Sequence, residues 1–516
     1  MSARRRRPAE PPRAAARPAA AGTAAPGEAR ERLFPALSDL LSWKEPFLIP
    51  LVAMLMARLV MSYMVPEAAE DAYITFRYAR FFAEGHGLVF NPGQRVMGFT
   101  SPLWTVWMSL GFFFHLSPIL WSRISSISAD AITLITVAAM LRASVSRASA
   151  WCFGIFFAAW PYFSAMTASG MENGVMFMLM ALSAALLWRR QTLGPLALAA
   201  LALSRPEGFV VACLLALTAR RRDALIAAVI VAVGLIPLAL YYGTVIPQSL
   251  FAKSHLYGTP GPLAGKTWWG WLIPRPFERV GKVVEYGHLV VIAVLFTPAL
   301  IKGFAKLWAV RTSGIAQLAL AGLVVWLSYA LLGVAYFYWY LMVPLAALAV
   351  IAAAGMPSLV RGAPVYVSMA VLITFVYVDA LSVYFSRTDI EFMGFGGVAD
   401  YLNAHARTGQ KVLLEPIGIV GYHCPLIIVD EIGLVSPQVA ERRLKGPGWY
   451  SDVVVSEKPD WLVVRAGTLS SGAAWAGAGA PFRSDEERLA LLQTYAAEDT
   501  VEPSRADQAL VVLQRR

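Results

Sequence analysis

Three cysteines in 516 residues leave little room for disulfide or redox architecture. Cys152 and Cys213 lie inside apolar runs and Cys424 stands apart, so neither a disulfide framework nor a CxxC metal site can be assembled. The six histidines include no HxxxH or HExxH pair, which makes a zinc site improbable. Charge is scarce too: 15% of residues are charged against 58% hydrophobic, more apolar surface than one water-soluble core of this size needs. Alternation is missing from the runs Leu289 to Leu300 and Val365 to Val383, so a transmembrane β-barrel drops out. Spanning helices remain, each needing about 20 apolar residues to cross a bilayer core.

The net charge of +11 would suit nucleic acid, but the basic residues sit in the N-terminal tail and in short clusters between apolar runs. Membrane orientation accounts for them, and no nucleic-acid partner is expected. Residues 1–44 carry nine Lys/Arg against four Asp/Glu, are rich in Ala and Pro and lack an apolar face, so they read as a disordered cytoplasmic tail. The apolar run Phe47 to Val65 comes late, with no convincing cleavage site after it, and is expected to stay attached. Eleven spans put Arg142/Arg147, Arg189/Arg190, Arg220 to Arg222, Lys302/Lys306/Arg311 and Arg361 on the side of the tail. In that threading Ser101 to His115 lies in the interface, and two short runs around Leu196 and Val210 each cross. The expected organisation is a helical membrane module over 45–385, with an outer loop at 67–120, and an extracytoplasmic soluble α/β domain over 386–516. The C-terminal part earns that reading from its short strand-like runs Lys411 to Leu414, Leu426 to Val429 and Trp461 to Val464.

The polar groups gather on one side. Directly after the first span comes EDAYITFRYARFFAEGHGLVFNPGQRVMGFTSPLW, starting at Glu70. Arg77 and Arg80 lie three residues apart and can share a helix face, a pairing that suits a phosphate. Glu70 and Asp71 are either chemical groups or simple helix-start carboxylates. Arg205 and Glu207 lie deep in apolar sequence, where charges pair or line a pathway, and Arg58 inside the first span poses the same question. Carboxylates suit Mg²⁺ or Mn²⁺, so a divalent cation among Glu70, Asp71 and Glu172 is compatible with the sequence, though none is required. Trp268, Trp269 and Trp271 read better as an interfacial belt than as a sugar platform.

At the Glu70 stretch the sequence resembles the GT-C class of polyprenyl-phosphate-sugar glycosyltransferases, and most closely the branch containing the mycobacterial terminal arabinofuranosyltransferase. SGMENGVMF from Ser169, LSRPEGF from Leu203, YYGTVIPQSLFAKS from Tyr241, YFYWYLMVPL from Tyr336 and VDEIGLVSP from Val429 follow in the order of that branch. The resemblance implies a GT-C fold in a multi-pass plasma-membrane protein. It also implies transfer of a sugar, arabinofuranose first, from a polyprenyl-phosphate carrier to an extracytoplasmic glycan. Asp71 falls on the catalytic base, with Glu70 and Glu172 as acidic partners. Arg77, Arg80, Lys253, Gln248, Arg205, His86 and Tyr242 are the implied donor-binding residues. Asn173 stands where the family more often has threonine, Gln248-Ser249 where it often has Asn-Thr, and Tyr338 and Tyr340 lack the basic neighbour usual there. Two other classes compete. A transporter or flippase would show inverted repeats and paired broken helices, and a non-catalytic accessory protein would have no use for adjacent acids followed by paired arginines.

Overall fold

A computed structural model describes residues 47–256, 297–332, 337–359, 394–469, 479–501 and 509–516. The first part of the chain is entirely helical. Four described helices are long and apolar enough to cross a membrane: Pro118–Ser144, Arg221–Tyr242, Gly314–Leu332 and Trp339–Ser358. Tyr162–Ala168 and Asn173–Trp188 pass the same test together but bend by 112° between them, the form of a broken span or a re-entrant loop. Arg221–Tyr242 makes the case for lipid most directly. Leu225, Val229, Val233 and Leu240 are each more than half exposed on a helix whose only buried side chain is Ala227. A helix that is apolar all round and little covered by the other described residues is suited to contact with lipid.

The runs around Leu196 and Val210 form helices Gly194–Ala202 and Pro206–Ala216. At 1.5 Å per residue these are about 14 and 17 Å long, short of a bilayer core. Pro206 ends the possibility of one continuous helix, because it supplies no N–H and its ring sets a new start. The Ser101 to His115 run is a helix over Pro102–Phe113. The runs starting near 289 and 364 fall largely or wholly outside the described residues, as do Trp268, Trp269 and Trp271.

Arg58 faces protein, not lipid. It is wholly buried in Leu48–Met64, with Nε donating to Asp130 Oδ2 at 2.8 Å, Nη1 to Ser164 Oγ at 2.9 Å and Nη2 to the Phe157 carbonyl at 2.9 Å. Thr167 Oγ1 donates to the same Asp130 oxygen at 2.6 Å. One guanidinium therefore ties together the first helix, the long Pro118–Ser144 helix and the first arm of the bent pair.

The C-terminal residues build a five-stranded sheet from β1 (Lys411–Leu414), β2 (Ile427–Asp430), β3 (Trp461–Arg465), β4 (Tyr495–Val501) and β5 (Leu510–Arg515), in the order β2-β1-β3-β5-β4. β1 runs parallel to β2 and β3, while β5 pairs antiparallel with β3 and β4. Alternate residues of a strand face opposite ways, and the two faces meet different partners. Leu413, Val429, Leu462, Val464 and Leu513 pack on Trp449, Tyr450 and Val453 of the Trp449–Glu457 helix. Val412, Leu414, Ile428, Trp461, Val463 and Val512 share a core with Tyr78, Phe90, Met97 and Phe99 of the outer loop. The sheet is thus half covered by the segment that carries the candidate acids.

Two carboxylates in this sheet titrate far from their usual range. Burial, reinforced by Glu415, pushes the Glu431 carboxyl up to about 8, and burial pushes Asp430 up to about 6. A raised folded-state pKa contributes stability that is full below the ordinary carboxyl range and is lost as pH rises through the shifted value. The sheet is therefore expected to lose stability between pH 5 and 8. Glu431→Gln should flatten that slope, as read from unfolding midpoints of the full chain at pH 5, 7 and 8.5; an unchanged slope in the mutant would place the titration elsewhere.

Candidate active site

The outer helix Glu70–Ala83 starts where Ala69, in extended backbone, hydrogen-bonds the Ser169 carbonyl at 2.8 Å. That contact is possible because Gly170 is the only kind of residue that fits: its φ is +79°, and an added Cβ would lie 3.0 Å from both Ala68 Cβ and Phe76 Cζ. The bend between the two arms is thereby pressed against the outer helix, and Glu172, two residues on, is carried to its first turn.

Glu70 and Asp71 are separated by a helical step of about 100°, and they diverge. The Glu70 carboxylate turns to the sheet, accepting from the backbone N–H of Ile419 at 2.6 Å and from that of Gly418. Asp71 points into a cleft, its side chain 30% exposed, with Lys253 Nζ 3.8 Å from Oδ2. Lys253 belongs to the helix Gln248–His255. That helix is fixed at its start by Gln248, whose N–H donates to the Met97 carbonyl at 2.8 Å and whose Nε2 donates to the Gly433 carbonyl at 3.1 Å. The Lys253 ammonium also lies 4.9 Å from the centre of the Phe337 ring, within cation–π range.

Glu172 lines the same cleft with Arg205. The Arg205 guanidinium binds three carboxylate oxygens: one of Glu172 through Nη1, and both of Glu207 through Nε at 3.0 Å and Nη2 at 3.2 Å. Arg205 is 5% exposed, and a charge so deeply buried is retained because it is paired on two sides. The cleft thus holds two acids and two bases from four separate segments. Chemically it offers a half-exposed carboxylate able to take a proton, an ammonium able to meet an anion, and a fixed carboxylate–guanidinium wall.

The sheet supplies the remaining wall. Leu434 lines the cleft on the loop that follows β2. Asp430 shapes that loop by accepting from the N–H groups of Ile432 at 2.8 Å, Val435 at 3.1 Å and Leu434. VDEIGLVSP is therefore a wall-forming motif, a role its sequence did not disclose. Thr75, Thr100, Ser101 and Trp339 are further cleft residues that sequence reasoning did not single out. Ser249, marked by the resemblance as half of the Gln248-Ser249 pair, lines the cleft as well.

A family described as a domain of unknown function (DUF8728) matches residues 384–509, the sheet part of the chain. No curated protein matches the sequence. Among solved structures, the chain is similar to ArnT from Cupriavidus metallidurans bound to undecaprenyl phosphate, with a TM-score of 0.54 and 13% identity over 90% of this chain and 97% of that one. The apo structure of the same protein gives 0.51, again at 13% identity over 90% and 97%. The arabinofuranosyltransferase AftD from Mycobacteria is found at a TM-score of 0.41 and 16% identity, over 90% of this chain and 41% of that one. The chain has the GT-C fold of a multi-pass membrane protein.

Within this GT-C architecture the implied site residues separate into two groups. Asp71, Glu172, Arg205 and Lys253 meet in the cleft. Arg77 and Arg80 do not. Arg77 is 1% exposed and spends its guanidinium on the carbonyls of Phe90 at 2.6 Å, Cys424 at 3.2 Å and Leu426 at 2.9 Å. Arg80 donates to the Tyr422 carbonyl at 2.9 Å and lies over that ring. The three-residue spacing puts both arginines toward one neighbour, the main chain of residues 422–426 just before β2. Glu70 is likewise an anchor to the sheet. Tyr242 donates to the Leu88 carbonyl and steadies the loop. His86 is an exposed loop residue 3.8 Å from Glu84, beyond the far end of the Glu70–Ala83 helix from Asp71. Gln248 holds its helix in place, as described above. Among the described residues no group of three His, Cys, Asp or Glu side chains is arranged to hold a metal, and Glu70, Asp71 and Glu172 each have a different partner.

Proposed function

We propose that this protein is a glycosyltransferase that moves a sugar from a polyprenyl-phosphate carrier to a glycan hydroxyl on the outer side of the plasma membrane. Arabinofuranose is the first donor to test. The observation that carries the reading is the meeting of Asp71 and Lys253 in a cleft bordered by Glu172 and Arg205, on a GT-C fold.

The chemistry asks for little else. The acceptor oxygen attacks the anomeric carbon, the bond from that carbon to the phosphate oxygen breaks, and its electron pair leaves on the polyprenyl phosphate. That group departs as a stabilised anion and needs no protonation. Asp71 takes the acceptor proton as general base. Lys253 sits where it can turn from Asp71 to the departing phosphate and stabilise the developing charge. Arg205, already shared by Glu172 and Glu207, holds the acid wall in place. One displacement inverts the anomeric configuration.

The test is sugar transfer by the purified full chain from a panel of polyprenyl-phosphate sugars, with the anomeric configuration of the product determined. Transfer with inversion from one donor is the expected result and names the sugar. A glycosyl-enzyme adduct formed during turnover would overturn the single displacement, and transfer from none of the donors would overturn the assignment.

A further inference from the structure

Several serines in this chain's helices satisfy their own hydroxyls. Ser109 donates to Val106, Ser122 to Ile119, Ser204 to Leu201 and Ser328 to Val325, each to a carbonyl three residues back at 2.6 to 2.9 Å. Ser249 cannot do so, because it is the second residue of the Gln248–His255 helix and the chain before it follows an extended path through Pro247. Its Oγ is buried, with the residue 3% exposed, and has no hydrogen-bond partner among the described residues. Other buried hydroxyls share that condition, among them Ser126, Ser144 and Ser183, but of these Ser249 alone lines the Asp71 cleft. A buried hydroxyl left unsatisfied costs free energy. One in a residue that lines a substrate cleft is explained if a ligand completes it.

The surroundings specify the ligand's chemistry. Ser249 and Lys253 are four residues apart and so share one helix face. Ser249 lies in the first turn, the positive end of the helix dipole, where anions are favoured. This end of the cleft therefore offers an O–H donor, an ammonium and a positive helix terminus. Asp71, 3.8 Å from Lys253, and Glu172 line the same cleft, and they accept from hydroxyls. A phosphoryl oxygen accepts and cannot donate, so it fits the Ser249 and Lys253 donors; a sugar hydroxyl fits the carboxylates.

We infer that Ser249 Oγ and Lys253 Nζ together bind the phosphate of a polyprenyl phosphate, with the serine hydroxyl donating to a phosphoryl oxygen. The inference rests on the proposed function for the identity of the lipid and adds the residue that reads its headgroup.

The experiment compares binding of undecaprenyl phosphate and undecaprenol to the purified full chain in detergent, for wild type, Ser249→Ala and Ser249→Thr. Removing a hydrogen bond to a charged group is expected to lower the preference for phosphate over alcohol by roughly 10- to 100-fold in Ser249→Ala. Alcohol binding should be unchanged, and the preference should return in Ser249→Thr. An equal loss for both lipids in Ser249→Ala would assign the serine a structural role and overturn the inference. So would a phosphate preference the alanine variant keeps in full, while leaving the transferase reading intact. A wild type that does not distinguish phosphate from alcohol would overturn both.

Discussion

Asp71→Asn is expected to cut kcat for sugar transfer by about 10² to 10⁴, the range a positioned general base supplies, with a much smaller change in KM. The substitution is isosteric and keeps the outer helix, but the amide cannot take the acceptor proton. Stability should barely move. The Asp71–Lys253 pair is 3.8 Å apart and about a third exposed on the acid's side, and pairs of that kind contribute about 1 kcal/mol or less. Glu70→Gln is the informative companion. Its carboxylate contacts the Gly418 and Ile419 N–H groups and not the cleft, so its loss should act by loosening the seam between outer helix and sheet. A fall in thermal midpoint then accompanies the fall in rate for Glu70→Gln, and a fall in rate alone for Asp71→Asn. Full transfer activity in Asp71→Asn, measured with the donor that wild type uses, would remove Asp71 from the chemistry.

The largest effect on stability is expected at Arg58. Replacing it with leucine strands Asp130 in a fully buried position, where removing one partner of a paired charge costs about 3 to 5 kcal/mol. Asp130→Leu strands the guanidinium in the same way. The double replacement Arg58→Leu with Asp130→Leu leaves no uncompensated charge and should regain much of the loss, since apolar groups often replace a buried ion pair at little cost. Thermal inactivation of detergent-solubilised protein checks this. If the double variant is as unstable as the sum of the singles, the pair is not what holds these three helices together.

Reading the sequence went furthest where a single physical rule decides. Long apolar runs such as Arg221–Tyr242 announce themselves, because lipid exposure demands apolar residues on every face. It went less far at Gly194–Ala202 and Pro206–Ala216, where apolar composition suggested crossings and the helices are nine and eleven residues long. Composition reports that a segment avoids water, and says nothing of whether its helix is long enough to cross. The arginines teach a similar point. Spacing correctly indicates that Arg77 and Arg80 point toward one neighbour, but it cannot say whether that neighbour is a ligand or a distant part of the same chain. Cys424 and Leu426, whose carbonyls receive Arg77, lie some 350 residues away in sequence. Ser249 was legible only in part: the resemblance marks the Gln248-Ser249 pair as donors, but that the serine hydroxyl lacks a partner is a property of its surroundings.

The seam between outer loop and sheet has an evolutionary consequence. Arg77, Arg80 and Gln248 reach across it to the main-chain carbonyls of Cys424, Leu426, Tyr422 and Gly433, and Asn91 brackets the edge strand through the N–H and carbonyl of Ile428. A bond to a main-chain atom is indifferent to the side chain borne there. Most of the receiving residues can drift without penalty so long as the backbone path is kept, so paired substitutions across the seam should be sparse even though the parts cannot work apart. Gly418 is the exception, since any Cβ there would collide with the Glu70 carbonyl. Chimeras that exchange the sheet between diverged homologues should accordingly assemble when that glycine and the loop lengths match, whatever the overall identity of the exchanged piece.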